Sequence, residues 1–172
     1  MGSGSGNGYS GTRGNSQPYA PKYEVVPQML NKDKQDSDIY NKKTGYFKNP
    51  TAVNLNSTIS GNTVIFEGSR ANGDYTYVMD KSGNIIFGKR CNPNDGRKRS
   101  PHPTLIGGKN PKVQCAGMIN FRNGRIYSVN INSGHYRPNI KSLDKVDSAL
   151  KKLYESNPHL LHRNSKWRKS NA

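Results

Sequence analysis

Residues 101–139 read PHPTLIGGKNPKVQCAGMINFRNGRIYSVNINSGHYRPN, and the expected fold is built outward from them. Asn123-Gly124 at the centre is a dipeptide that accepts positive φ at both middle positions of a type I′ turn. Strand-forming runs flank it, at 116–121 (AGMINF) and 125–131 (RIYSVNI). Together they read as a β-hairpin. A hairpin returns the chain to where it began, so its outer ends meet. One end carries His102 in HPTLIGG and the other His135 in SGHYRP. Two histidines remote in sequence are therefore expected beside one cleft.

The two-residue period extends upstream. Residues 63–67 (TVIFE), 75–79 (YTYVM) and 85–89 (IIFGK) read as strands. An Arg/Asn/Gly turn and the DKSGN turn at 80–84 separate them. Residues 91–99 (CNPNDGRKR) are a basic loop whose prolines and glycine deny it regular structure. Downstream, 142–154 reads as a helix with Ser142 as its cap and Leu143, Val146, Leu150 and Leu153 on one face. Near the start, 23–34 (YEVVPQMLNKDK) reads as a short helix with Pro27 in its first turn, where the missing N–H costs nothing. Residues 54–58 can add one helical turn, and Tyr46-Phe47 fall in a polar loop. The expected class is α+β: a single twisted antiparallel sheet of about five strands, with N-terminal and C-terminal helices packed on one side of it. Residues 1–19 are expected to be a flexible linker or tag, with Met1–Gly8 a start codon and Gly/Ser spacer ahead of a piece of a longer protein. One domain then spans 20–158, and 159–172 is expected to be a basic tail containing Trp167.

At 172 residues and 31% hydrophobic, the core must be small. Lys and Arg number 27 against 11 Asp and Glu, a net charge of +16. Such an excess points to a polyanionic partner, nucleic acid or an anionic membrane surface, or to an acidic protein. No apolar run reaches the length of a membrane span. Cys91 and Cys115 lack metal-ligand spacing, so no zinc is expected, and free buried thiols are favoured over a disulfide.

A histidine pair in one pocket suits RNA cleavage without metal or cofactor. One imidazole takes the 2′-OH proton and the other protonates the leaving 5′-oxygen. Lys109, Arg137, Lys89 or Arg90 can offset charge on the phosphorane, Ser133 and Thr104 can donate to phosphate, and Tyr136 can orient or stack on a base. Gly107-Gly108 can offer backbone N–H groups, and Arg97 in the basic loop can follow the phosphates. Each feature has a structural alternative. His135 can lock its loop through a backbone carbonyl, His102 can be a surface histidine between prolines, Gly107-Gly108 can be a plain turn, and charge runs are usually only solvated. Glu24 and Glu67 are reserve bases if only one histidine is catalytic. Two rival classes stand beside the ribonuclease: an ADP-ribosyltransferase or NAD glycohydrolase, and a non-catalytic basic binding module.

HPTLIGG…AGMINFRNGRIYSVNINSGHYRP also resembles the C-terminal toxin domains of bacterial polymorphic toxins, which carry H-[SP]-[ST]-F/L-x-x-G, an AGE-like hairpin and SGHY-x-P. Plant calmodulin-binding proteins with an IQ motif have a similar stretch. The resemblance extends at most over 75–139 and implies a shared site or scaffold of His102, Thr104, Gly107, Gly108, Gly117, Ser133, Gly134, His135, Tyr136 and Pro138. Met118 replaces the AGE-like glutamate. It further implies a secreted effector of interbacterial competition, delivered into the target-cell cytoplasm, monomeric when free, and neutralised by an immunity protein that should be acidic. SGHYRP is also similar to the DHYRSF strand of barnase-like ribonucleases, in which the histidine is the general acid.

Overall fold

The structure, a computed structural model, describes residues 16–37, 39–48, 52–89 and 101–167. Helix α1 (Pro27–Asp33) leads into strands β1 (Tyr40–Asn41), β2 (Tyr46–Phe47) and β3 (Val53–Asn54). A 3-10 turn at Leu55–Thr58 precedes β4 (Ile59–Ser60), β5 (Thr63–Phe66) and β6 (Ser69–Arg70). Strands β7 (Gly73–Met79) and β8 (Ile85–Lys89) follow, then helix α2 (His102–Ile106) and strands β9 (Cys115–Arg122) and β10 (Arg125–Val129). Helix α3 (Leu143–Ser156) and a 3-10 turn at Pro158–Leu160 come last in this order.

The fold is α+β, and its main sheet has five strands in the order β10-β9-β7-β8-β3, all antiparallel. β7 sits at the centre because it is the strand without a wet face, buried continuously from Tyr75 to Met79. Tyr75, Tyr77 and Met79 join the larger core with Phe87, Phe121, Val146 and Leu150. Val78, between them, joins a second core with Tyr23, Leu105, Val113, Ala116 and Tyr136. Helices therefore cover both faces, α3 over one and α2 over the other, where the sequence led us to expect one. The cause is the alternation of β7 itself, which leaves apolar side chains on each side.

The hairpin turn is as expected: Asn123 has φ 52° and Gly124 φ 78°. Its tip is not free. Gly124 N–H donates to Ala71 O and Gly124 O accepts from Val64 N–H. β5 thus leaves the main sheet for a three-stranded ribbon, β4-β5-β6, docked on that tip. α1 begins at Pro27, in its first turn as expected. Ser142 differs from expectation. It makes no capping bond, and its Oγ instead lies 2.6 Å from the Tyr23 hydroxyl.

Residues 159–167 are more than a solvated tail. Leu160, Leu161 and Trp167 belong to the larger core. His162 N–H donates to Ile126 O at 3.0 Å, and Trp167 Nε1–H to Asp147 at 2.7 Å. At the other end, Gln17 N–H donates to Arg137 O at 2.8 Å, so ordered chain begins ahead of residue 20. Cys115 is a buried free thiol, and Cys91 lies outside the described residues. Among the described residues no helix is long and apolar enough to cross a membrane.

Candidate active site

β9 is where the site starts. A Cβ on Gly117 would stand 1.9 Å from Asn130 O, so only glycine lets the chain leaving β10 cross so close. Tyr77 fixes that crossing from the core, its hydroxyl donating to the same Asn130 O at 2.7 Å. Burial, with the Cys115 thiol beside it, pushes that phenol well above its ordinary range. The crossing carries the SGHYRP loop over the start of β9, opposite the five-residue helix α2.

His102 is the first residue of α2 and only 5% exposed. Its Nε2 lies 2.7 Å from Gly117 O, which makes Nε2 the protonated nitrogen. Its Nδ1 lies 3.2 Å from Ser133 Oγ, and that oxygen accepts Tyr136 N–H at 3.2 Å. The hydroxyl proton of Ser133 is then directed at Nδ1. Both imidazole nitrogens serve the backbone crossing, and His102 is no surface histidine. Tyr136, wholly buried, donates to Pro111 O at 2.6 Å, so its ring is not available to stack on a base.

His135 is placed differently. Its carbonyl accepts Val26 N–H at 2.7 Å, which ties the loop to the entrance of α1. Its ring centroid lies 6.4 Å from that of His102, with 54° between planes. Its Nε2 faces the carboxylate of Asp33, the last residue of α1: 3.2 Å from Oδ1, where the hydrogen bond forms, and 3.0 Å from Oδ2 at a poorer angle. Side-chain exposure is 14% for His135 and 6% for Asp33. Nδ1 of His135 has no hydrogen-bond partner among the described residues. A buried carboxylate holding one imidazole nitrogen leaves the other as the atom that exchanges protons.

Of the expected substrate contacts, several are consumed by the fold. Thr104 is buried and donates to Pro101 O at 2.7 Å. Gly107 N–H donates to Pro103 O at 2.8 Å and Gly108 N–H to Phe47 O at 3.1 Å, so neither cradles a phosphate. Ser133 is wholly buried behind His102. Lys109 is exposed on the wall of a hollow of about 380 Å³ with Glu24, Lys34 and Tyr40. Arg137 has φ 44°, and its buried Nε has no hydrogen-bond partner among the described residues. Lys89 ends β8 opposite Tyr75, while Arg90 and Arg97 lie outside the described residues. Glu67 is exposed in a turn. Asp33 is the residue sequence reasoning missed. Its signal was positional: Val26, Leu30 and Asp33 share one helical face, and a carboxylate on a buried face needs a partner.

Among the described residues no group of three His, Cys, Asp or Glu is placed to hold a metal ion. No protein-family model, no curated protein and no solved structure matches the chain.

Proposed function

We propose that the chain is a polymorphic-toxin effector domain that cleaves RNA without a metal, with His135 as the proton-transfer group and Asp33 as its positioning partner. The observation that carries this reading is the His135–Asp33 dyad at 3.0–3.2 Å, partly open to solvent. The net charge of +16 supports a polyanionic substrate.

Asp33 holds Nε2–H and offsets the charge of the imidazolium that forms. Nδ1 takes the proton of the 2′-OH. The 2′-oxygen then bonds to phosphorus, the bond from phosphorus to the 5′-oxygen breaks, and that oxygen is protonated. The products are a 2′,3′-cyclic phosphate and a 5′-hydroxyl. Because His102 is committed to Gly117 and Ser133, the leaving oxygen takes its proton from solvent. Lys109 and Arg137 offset charge on the phosphorane. Secretion, delivery into a target cell and an acidic immunity partner belong to the same reading and rest on the motif resemblance and the charge.

His135→Gln is the informative variant. Its amide can still donate to Asp33, so the buried carboxylate keeps a partner, but it cannot take up a proton. Cleavage should fall by roughly 10²–10⁴-fold, the usual size of a general-base contribution, at unchanged stability. Its rate against pH should rise along one limb to a plateau in the parent protein. A bell-shaped profile would restore His102 as the acid, and full activity in His135→Gln would remove the dyad from the mechanism.

A further inference from the structure

Three hollows join end to end, starting beside the dyad. The first, about 380 Å³, is walled by Lys34, next to Asp33, and by Lys109. It is also lined by Pro111, whose carbonyl anchors Tyr136, and by Val25, next to the Val26 N–H that holds His135 O. Asn110 also lines the second hollow, about 570 Å³, with Lys22, Lys81 and Lys112. Ser82 joins that one to the third, about 590 Å³, with Lys145 and Lys152. The path passes round the β7–β8 turn, from the α2 face of the sheet to the α3 face.

Among the described residues only two carboxylates line it. Glu24 stands in the first hollow. Asp80 stands in the second, but its Oδ1 accepts the N–H groups of Ser82 and Asn84 at 3.0 and 2.8 Å, which turns its charge inward. The floors are apolar or aromatic: Tyr40 in the first, Ile86, Leu105 and Ile106 in the second, Leu55 and Leu153 in the third. Lysines on the rim and apolar faces below match an unpaired strand, whose phosphates track cations while its bases turn inward. A-form duplex buries its bases and cannot use such floors.

We propose that this belt is a binding track for single-stranded RNA that leads the substrate to His135. The identity of the strand as RNA rests on the ribonuclease reading; the track itself rests on the lysines and floors. The test is performed in the His135→Gln background, so binding is read without cleavage. A fluorescent 12-nucleotide single strand is titrated across a salt series with Lys22→Ala/Lys81→Ala/Lys112→Ala and with a charge-matched control, Lys42→Ala/Lys43→Ala/Lys141→Ala, outside the hollows. For a single strand each neutralised phosphate contributes about 0.7 to the salt slope, so the track triple should flatten it by about 2, with at least about tenfold weaker binding. The control triple should move it far less, and a duplex of equal length should bind more weakly than the strand. Equal effects of the two triples, or equal affinity for duplex, would overturn the track. So would failure to bind the strand while the track triple loses affinity for polyglutamate, which would assign the belt to an acidic protein. Salt-sensitive strand binding through the belt, with an unsubstituted chain that leaves RNA intact, would leave the track standing and remove only the ribonuclease.

Discussion

His102 and His135 have rings 6.4 Å apart, yet their nitrogens end on different partners and give them different roles. His102→Ala would leave Gly117 O buried without its donor and the Ser133 hydroxyl buried without its acceptor, at about 1–3 kcal/mol for each group. Urea unfolding should therefore show His102→Ala strongly destabilised and His135→Gln near the parent, while cleavage shows the reverse order once corrected for folded fraction. Equal losses of stability would contradict the division. Cys115 adds a pH signature. Burial pushes its thiol up from 9.0 to about 11. Between those values the unfolded chain loses this proton and the native chain keeps it, so stability is full below pH 9 and falls as pH rises toward 11, by about 3 kcal/mol at most. Urea midpoints in a Cys115→Ala variant should fall less over that window; parallel curves would count against it. The meeting of the two histidines was readable because one Asn-Gly turn dictates it. Asp33 was not, because its contact with His135 crosses 102 positions and depends on how α1 docks. Thr104, Gly107 and Gly108 have the composition of a phosphate site, but their hydrogen bonds go to nearby or cross-chain backbone, which composition does not reveal.

At the scale of elements, the strands and long helix follow from periodicity, and their assembly follows from contacts that periodicity does not specify. β5 reads correctly as a strand, but its edge pairs with β4 and β6, and the tip of the β9–β10 hairpin decides where that ribbon sits. Gly124 carries this junction. An added Cβ would stand 2.7 Å from Thr63 Cβ, at a backbone φ of 78°. Gly124→Ala should cost about 2 kcal/mol or more from strain and contact together, read as a lower urea midpoint with unchanged steepness. A neutral substitution would show that the ribbon yields freely. The closing segment was obscured by its basic composition: Leu160 ends a 3-10 turn, Leu161 makes a single bridge to Ile126 and Trp167 follows a turn, none of which has an amphipathic period long enough to recognise. Trp167→Ala should cost about 3–5 kcal/mol, the usual range for a large core aromatic. A cost below about 1 kcal/mol, within the range of surface substitutions, would return this segment to the surface.

Over the whole molecule, a net charge of +16 gives the chain a long-range attraction for anions that the proposed partners would share. An acidic immunity protein should bind at a rate that drops as salt rises, and stopped-flow rates indifferent to ionic strength would contradict electrostatic capture. The most direct test is purified chain incubated in excess chelator with RNA in one tube and labelled NAD in another, alongside His135→Gln. RNA should be cut to 2′,3′-cyclic phosphate ends, DNA spared for want of a 2′-OH, NAD left intact, and the cuts should vanish in His135→Gln. NAD consumed while RNA stays whole, or cleavage that persists in His135→Gln, would contradict RNA cleavage through the His135–Asp33 dyad.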